Sequence, residues 1–188
     1  MSKDHTVILE FQRWSPMADT SRQKAEAPKA NPVHAFALST NLAELHAELR
    51  PLLDLWASKC GVQGLPTRNS LSPRDLKPWL PRVHIYDVLP EGRFQARLLG
   101  TAIVQAIGQD QTGRQFGPQD QDPLAQRVTQ ILATVTGKAV PAVTTARQMA
   151  STRPSYYAAE SLWLPMGAGT QVKSIIAATH LTLVEEAV

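Results

Sequence analysis

Leu42, Leu45, Leu49, Leu52, Leu53 and Trp56 recur at helical steps, and their stripe predicts a leading helix over residues 41–60. Asn41 with Glu44 three residues later makes a capping-box-like start, and Gly61 marks the end. Pro51 falls inside that stripe, where it lacks an N–H and its ring meets the carbonyl of Ala47, so the helix must kink or restart there. A second short helix is signalled by Ser72-Pro73-Arg74-Asp75, with serine at the cap, proline in the first helical position and a carboxylate in the first turn. Pro78 and Pro81 stop it.

The period then shortens to two. VHIYDV (83–88) and RFQARLL (93–99) read as strands joined by a turn at Leu89-Pro90-Glu91-Gly92. Ile103, Ala106 and Ile107 return to helical spacing between Gly100 and Gly108, with Thr101 available as a cap. A helix of that length does not persist alone in water, so it must lie across something larger. Asp122-Pro123 starts another helix in the Asp-cap, Pro-first manner, carried by Leu124, Val128, Ile131, Leu132 and Val135 and closed by Gly137. Residues 140–149, 156–164 and 171–183 read as three further strands, the last two joined through Pro165-Met166-Gly167-Ala168-Gly169-Thr170. Runs of strands around one helical block, without βαβ alternation, argue an α+β domain whose antiparallel sheet has an apolar face covered by the short helices.

Length and composition change this picture little. The 188 residues suffice for one core. Residues 1–40 are expected to be a flexible tail, since 15–32 is rich in Ala, Pro and charge; Val7 to Phe11 would either fray or add a strand or docking peptide. The folded domain is expected over 41–188. A net charge of +3, with basic and acidic residues interspersed, argues solubility rather than an anionic polymer partner, and no nucleic-acid-reading element accompanies Arg68, Arg74, Lys77 and Arg82. The single Cys60 can form no internal disulfide, no signal peptide opens the chain, and no apolar run is long enough to span a bilayer, so a cytoplasmic location without membrane contact is expected.

Chemical motifs are sparse. His5, His34, His46, His84, His180 and Cys60 are scattered without metal-ligand spacing, so no metal is expected. Gly167-Ala168-Gly169 lacks the third glycine and following helix of a dinucleotide fingerprint and reads as a turn. Asp120 and Asp122 could be paired carboxylates, but Asp122 before Pro123 is better explained as a cap. His84, Arg97 and His180 either face a pocket or mark the solvated side of a sheet, and alternation favours the second. Tyr156, Tyr157 and Trp163 read as core or interface.

The blocks LPTRNSLSPRDLKPWLPRVHIYDV, RFQARLLGTAIVQAIGQDQTGRQF and ESLWLPMGAGTQVKSIIAAT, taken together, resemble a bacterial subfamily of PAS domains over about residues 42–183. The likeness rests on Leu-Pro-x-Arg at 65–68, Arg-Leu-x-Gly-Thr at 97–101 and Gly-x-Asp-x-Thr-Gly at 108–113. It implies a five-stranded antiparallel sheet with a helical clasp on one face and a cleft between them, used by PAS domains for small ligands or cofactors. Candidates for the cleft wall are then Val104, Ile107, Val128 and Leu132 from the helices and Leu98, Val143, Leu162 and Ile176 from the sheet. There is no Asn-Cys-Arg-Phe flavin-cysteine motif, no histidine can be assigned to haem, and the cofactor is left unknown.

The resemblance implies a non-enzymatic sensory or adaptor module that binds a small molecule, docks a protein partner, or both, and the chain length leads us to expect a stand-alone one. The candidate surfaces for a partner or a second copy are the leading helix 41–60, with packing on its own sheet as the competing reading, and the outer sheet face that the resemblance implies. Two alternatives stay open: an interaction scaffold with a filled core, and a small α+β enzyme using Asp120, His84 or His180 as base, for which no nucleophile or oriented base is visible.

Overall fold

The computed structural model describes residues 7–8, 36–61, 64–146 and 156–184. The expected tail and residues 147–149 of the expected third strand lie largely or wholly outside them. One antiparallel sheet runs through the described residues, built from β1 (Val7–Ile8), β2 (Ala37–Ser39), β3 (Val83–Val88), β4 (Phe94–Leu99), β5 (Gln115–Phe116), β6 (Ala142–Ala146), β7 (Tyr156–Ala168) and β8 (Gln171–Val184). Their spatial order is β1-β2-β6-β7-β8-β3-β4-β5.

The five anticipated strands are the five long ones, but the expectation of a five-stranded sheet is corrected to eight. Strands β1 and β2 extend the edge beside β6, and β5 extends the edge beside β4. Two- and three-residue strands are too short for alternation to register, so pairing with a longer neighbour is what makes them strands. The sheet therefore begins before Asn41, and Val7–Ile8 takes the strand option rather than fraying. The β7–β8 hairpin also runs further than the Pro165–Thr170 loop expectation, pairing Ala168 with Gln171 across Gly169-Thr170.

Three helices pack on this frame: α1 (Arg50–Lys59), α2 (Thr101–Ile107) and α3 (Pro123–Lys138). The leading helix restarts at Pro51, which sits in the first turn where its missing N–H costs nothing, so the helix covers 50–59 rather than 41–60. Residues 41–49 are turns. The Arg50 guanidinium donates to the carbonyls of Leu42, Ala43 and Leu45 at 3.1, 3.0 and 3.4 Å, supplying donors that a continuous helix would have given. Around residue 72 the capping exchange forms, with Asp75 accepting from the Ser72 amide at 2.9 Å, but the proline-rich text that follows gives consecutive turns instead of a helix.

The cap of α2 is Gly100, not Thr101. A Cβ at Gly100 would collide with the Pro81 carbonyl, and the Gly100 amide donates to Val83 O at 2.7 Å, so the β4–α2 junction is clamped against the loop before β3. Gly108, at φ 89°, ends α2 in the left-handed region, as its spacing predicted. Asp122 caps α3 by accepting from the Leu124 amide at 3.2 Å, but α3 passes through Gly137 and ends at Ala139, whose φ is 52°.

Helices cover both faces of the sheet. On one face α1 packs Leu52 and Trp56 against Leu162, Leu164, Met166, Ile176 and Ala178. The Trp56 indole donates to the Pro165 carbonyl at 2.9 Å. On the other face α3 packs Ala125, Ile131, Leu132 and Val135 over Tyr86, Trp163, Ile175 and Ala177. The apolar stripe of α1 is thus spent on its own sheet, the second of the two readings of the leading helix.

Candidate ligand cleft

Between α2, α3 and the sheet lies a cavity of about 60 Å³. Its helix wall is aliphatic, formed by Ile103 and Ile107 from α2 and Leu124, Val128 and Ile131 from α3, with Arg127 beside them. Its floor is polar, because the period of two points His84 and Tyr86 of β3, Thr144 of β6, Ser161 of β7 and Thr179 of β8 to the same side as Trp163. These side chains are linked. His84 Nδ1 bonds the Tyr86 hydroxyl at 3.3 Å, His84 Nε2 bonds Thr179 Oγ1 at 2.9 Å, and Thr179 Oγ1 bonds Ser161 Oγ at 2.8 Å. Separately, the Trp163 indole donates to Thr144 Oγ1 at 2.9 Å. The His84 ring also stands edge-on to Trp163, with centroids 5.1 Å apart.

Burial sets the electrostatics. It pushes His84 down to about 4, keeping the imidazole neutral near pH 7, and it raises the Tyr86 phenol. Burial also lowers Arg127 to about 10, so its guanidinium stays charged at neutral pH. That guanidinium lies 4.8 Å from the centroid of the Phe36 ring, a cation–π contact.

Of the eight residues anticipated for the cleft wall, Ile107 and Val128 line the cavity. Leu132 is fully buried under α3 in the same cluster, and Val104 is half-buried on α2. The sheet residues go elsewhere. Leu98 is exposed, Leu162 and Ile176 are buried on the α1 face, and Val143 packs against that same cluster. None of these four sheet residues lines this cavity, and the drier face of the sheet belongs to α1. His84, expected on the solvated side, is buried, whereas Arg97 is exposed as alternation predicts and pairs with Asp87 at 3.1 Å. Trp163 is core, as expected, while the side chains of Tyr156 and Tyr157 lie outside the described residues.

Arg127, Thr144, Ser161 and Thr179 were missed. For Arg127 a signal existed: it stands three residues after Leu124 and four before Ile131, inside the apolar stripe of α3. Asp120 accepts from the Gly117 amide at 2.7 Å, and Asp122 caps α3 and pairs with Arg114 at 2.9 Å, so each carboxylate has a local structural use.

Outside the cleft the fold gathers His46, Glu48 and His180, the one group among the described residues whose ligand-type atoms lie within 4.8 Å of one another. The two imidazoles stack at 3.7 Å between centroids with planes 15° apart, so their lone pairs run side by side instead of converging on one ion. Both His180 nitrogens are engaged, by Glu48 at 3.1 Å and Thr182 at 3.3 Å. Glu48 further pairs with Arg82 at 2.7 Å, and the His46 amide donates to Glu160 at 2.6 Å. This cluster ties the 41–49 turns to the sheet. The Arg82 and His180 hydrogen bonds hold the Glu48 carboxyl below its ordinary value.

A sequence model of the PAS domain matches residues 44–178, which is most of the chain and takes in all three helices and the sheet apart from β1, β2 and the end of β8. The chain belongs to the PAS domain family. PAS domains are sensory or interaction modules, and they characteristically lack enzymatic activity. The segments that carried the resemblance have local structural reasons: Leu65 N and Pro66 O bond the β7–β8 hairpin at 2.9 Å each, Arg68 pairs with Asp87 at 3.0 Å, and Asp110 accepts from the Thr112 amide at 2.9 Å in the turn after α2. No curated protein and no solved structure matches the chain. No helix among the described residues is long and apolar enough to cross a membrane.

Proposed function

We propose that this PAS domain is a cytoplasmic signal-transduction module that binds a small molecule between α2, α3 and the sheet and passes occupancy to a protein partner. The observation that carries this reading is the polar, hydrogen-bonded floor beneath an aliphatic roof: a domain that needed only a filled core would gain nothing from burying His84, Thr144, Ser161 and Thr179 around a cavity. His84 Nε2 bonds the Thr179 hydroxyl, but the ring's other nitrogen meets a neutral phenol instead of a carboxylate and burial holds the imidazole at about 4, too weak a base to activate that hydroxyl, which supports a receiving rather than a transforming role. A ligand can signal only by favouring one arrangement of α2 and α3 over another. Those helices are short or lie over a cavity, so their packing is the part of the fold most open to such a bias. Native mass spectrometry of protein purified from its own host is the test. A reproducible bound mass that disappears when Ile107→Trp fills the cleft supports the reading; its absence from folded wild-type protein leaves the scaffold alternative.

A further inference from the structure

Two features of the cleft specify the chemistry of what it binds, given that the cleft is a ligand site as proposed above. The first is an excess of hydrogen-bond donors. Tyr86, neutral His84, Thr179 and Ser161 carry one transferable N–H or O–H each, four protons, and are joined by three bonds. Whichever way these bonds run, one hydroxyl, on Tyr86, Thr179 or Ser161, keeps a proton that no other member of the network accepts. Thr144 likewise receives the Trp163 N–H and has its own O–H unspent. The second feature is charge. Among the described residues the Arg127 guanidinium touches the Phe36 ring but pairs with no carboxylate and donates to no acceptor. Arg127 is half-buried at the cavity wall, so its unspent guanidinium donors offer an anion in the cavity a charged, partly desolvated partner.

We infer that the cleft receives a short-chain carboxylate, its head group held by Arg127 and a free hydroxyl of the floor and its hydrocarbon end held by Ile103, Ile107 and Ile131. Size supports the class: at about 10–15 Å³ for a water-sized group, a cavity of about 60 Å³ has room for roughly four to six non-hydrogen atoms. The aliphatic roof argues against inorganic phosphate, whose oxygens would face Ile and Leu side chains and lose their hydration without return.

The experiment is a titration of the full chain with sodium acetate, propionate and butyrate, against sodium chloride at equal ionic strength, butanamide and inorganic phosphate, followed by the His84 and Trp163 ring resonances and by calorimetry. The proposal expects saturable shifts with at least one carboxylate, and affinity at least tenfold weaker for butanamide and phosphate. Arg127→Gln is expected to lose tenfold or more in carboxylate affinity while keeping its fold, and Arg127→Lys to retain part of the binding. Equal binding of butanamide and butyrate, or unchanged affinity in folded Arg127→Gln, overturns the carboxylate. Failure of all three carboxylates to bind overturns it too, and a neutral mass retained in native spectra then leaves the cleft reading standing without it.

Discussion

The two faces of the central sheet differ in what their side chains are made of. The α1 face is closed by Leu52, Leu162, Leu164, Met166 and Ile176, all essentially inaccessible, with the Trp56 indole matched to a backbone carbonyl. The α2/α3 face, over the same two long strands, carries Ser161 and Thr179 at the alternate positions and leaves a cavity above them. Two residues one apart on β7, Ser161 and Leu162, thus serve opposite ends: one supplies a hydroxyl to a cleft, the other dry packing to a core. This PAS domain carries its polar, hollow patch beside an apolar cluster on the α3 face and packs a second apolar cluster on the α1 face.

That contrast can be broken most strongly on the dry side. Leu52→Ala, at a site of 0% exposure, is expected to cost about 3 kcal/mol within a range of about 2–5, read as a lower urea midpoint with unchanged slope. A loss under 1 kcal/mol would mean that α1 is not a structural layer. On the cleft side the largest effect is expected from pH. His84 titrates at about 4 when folded and near 6.5 when unfolded, so the unfolded chain takes up a proton that the folded chain refuses. This stability is fully present above pH 6.5 and is lost as pH falls towards 4, by about 3 kcal/mol at the limit. Urea unfolding between pH 7 and 4.5 should fall more steeply for wild type than for His84→Asn, and parallel curves would show that the imidazole is not held neutral.

Smaller changes sharpen the comparison further. Thr179→Val keeps the shape but removes the hydroxyl between His84 and Ser161, with an expected loss of about 1–2 kcal/mol by thermal or chemical unfolding. The matching change on the dry face, Ala178→Ser, adds a hydroxyl with no partner and should also destabilise; neutrality of both would erase the distinction between the faces. Arg68→Ala lies on neither face. Its pair with Asp87 is exposed and Asp87 retains Arg97, so the unfolding midpoint should move by less than the equivalent of about 0.5 kcal/mol.

How much of this was legible beforehand depends on range. Asp122 before Pro123 and Gly108 after Ile107 set helix ends through contacts only a few residues apart, and both behave as the text suggests. Pro51 announced the interruption of its helix but not which half would survive. The choice fell to Leu52 and Trp56 because they meet β7 and β8 more than a hundred residues later. The cleft was harder to read. On a sheet covered on both sides, each parity is inward, so alternation that marks inside and outside in a one-sided sheet marks only two different insides.

From its linear order of apolar and polar residues this chain determined the five long strands, the α2 and α3 helices and the antiparallel class, because strand and helix periods and caps act within one element. Tertiary structure alone decided that the leading helix takes the drier face, that three short strands complete the sheet, and that His84, Thr179, Ser161 and Arg127 surround one cavity. Those outcomes depend on the relative rotation and register of elements far apart in sequence, and the energy that sets them, burial of one face against another, does not exist until the faces meet.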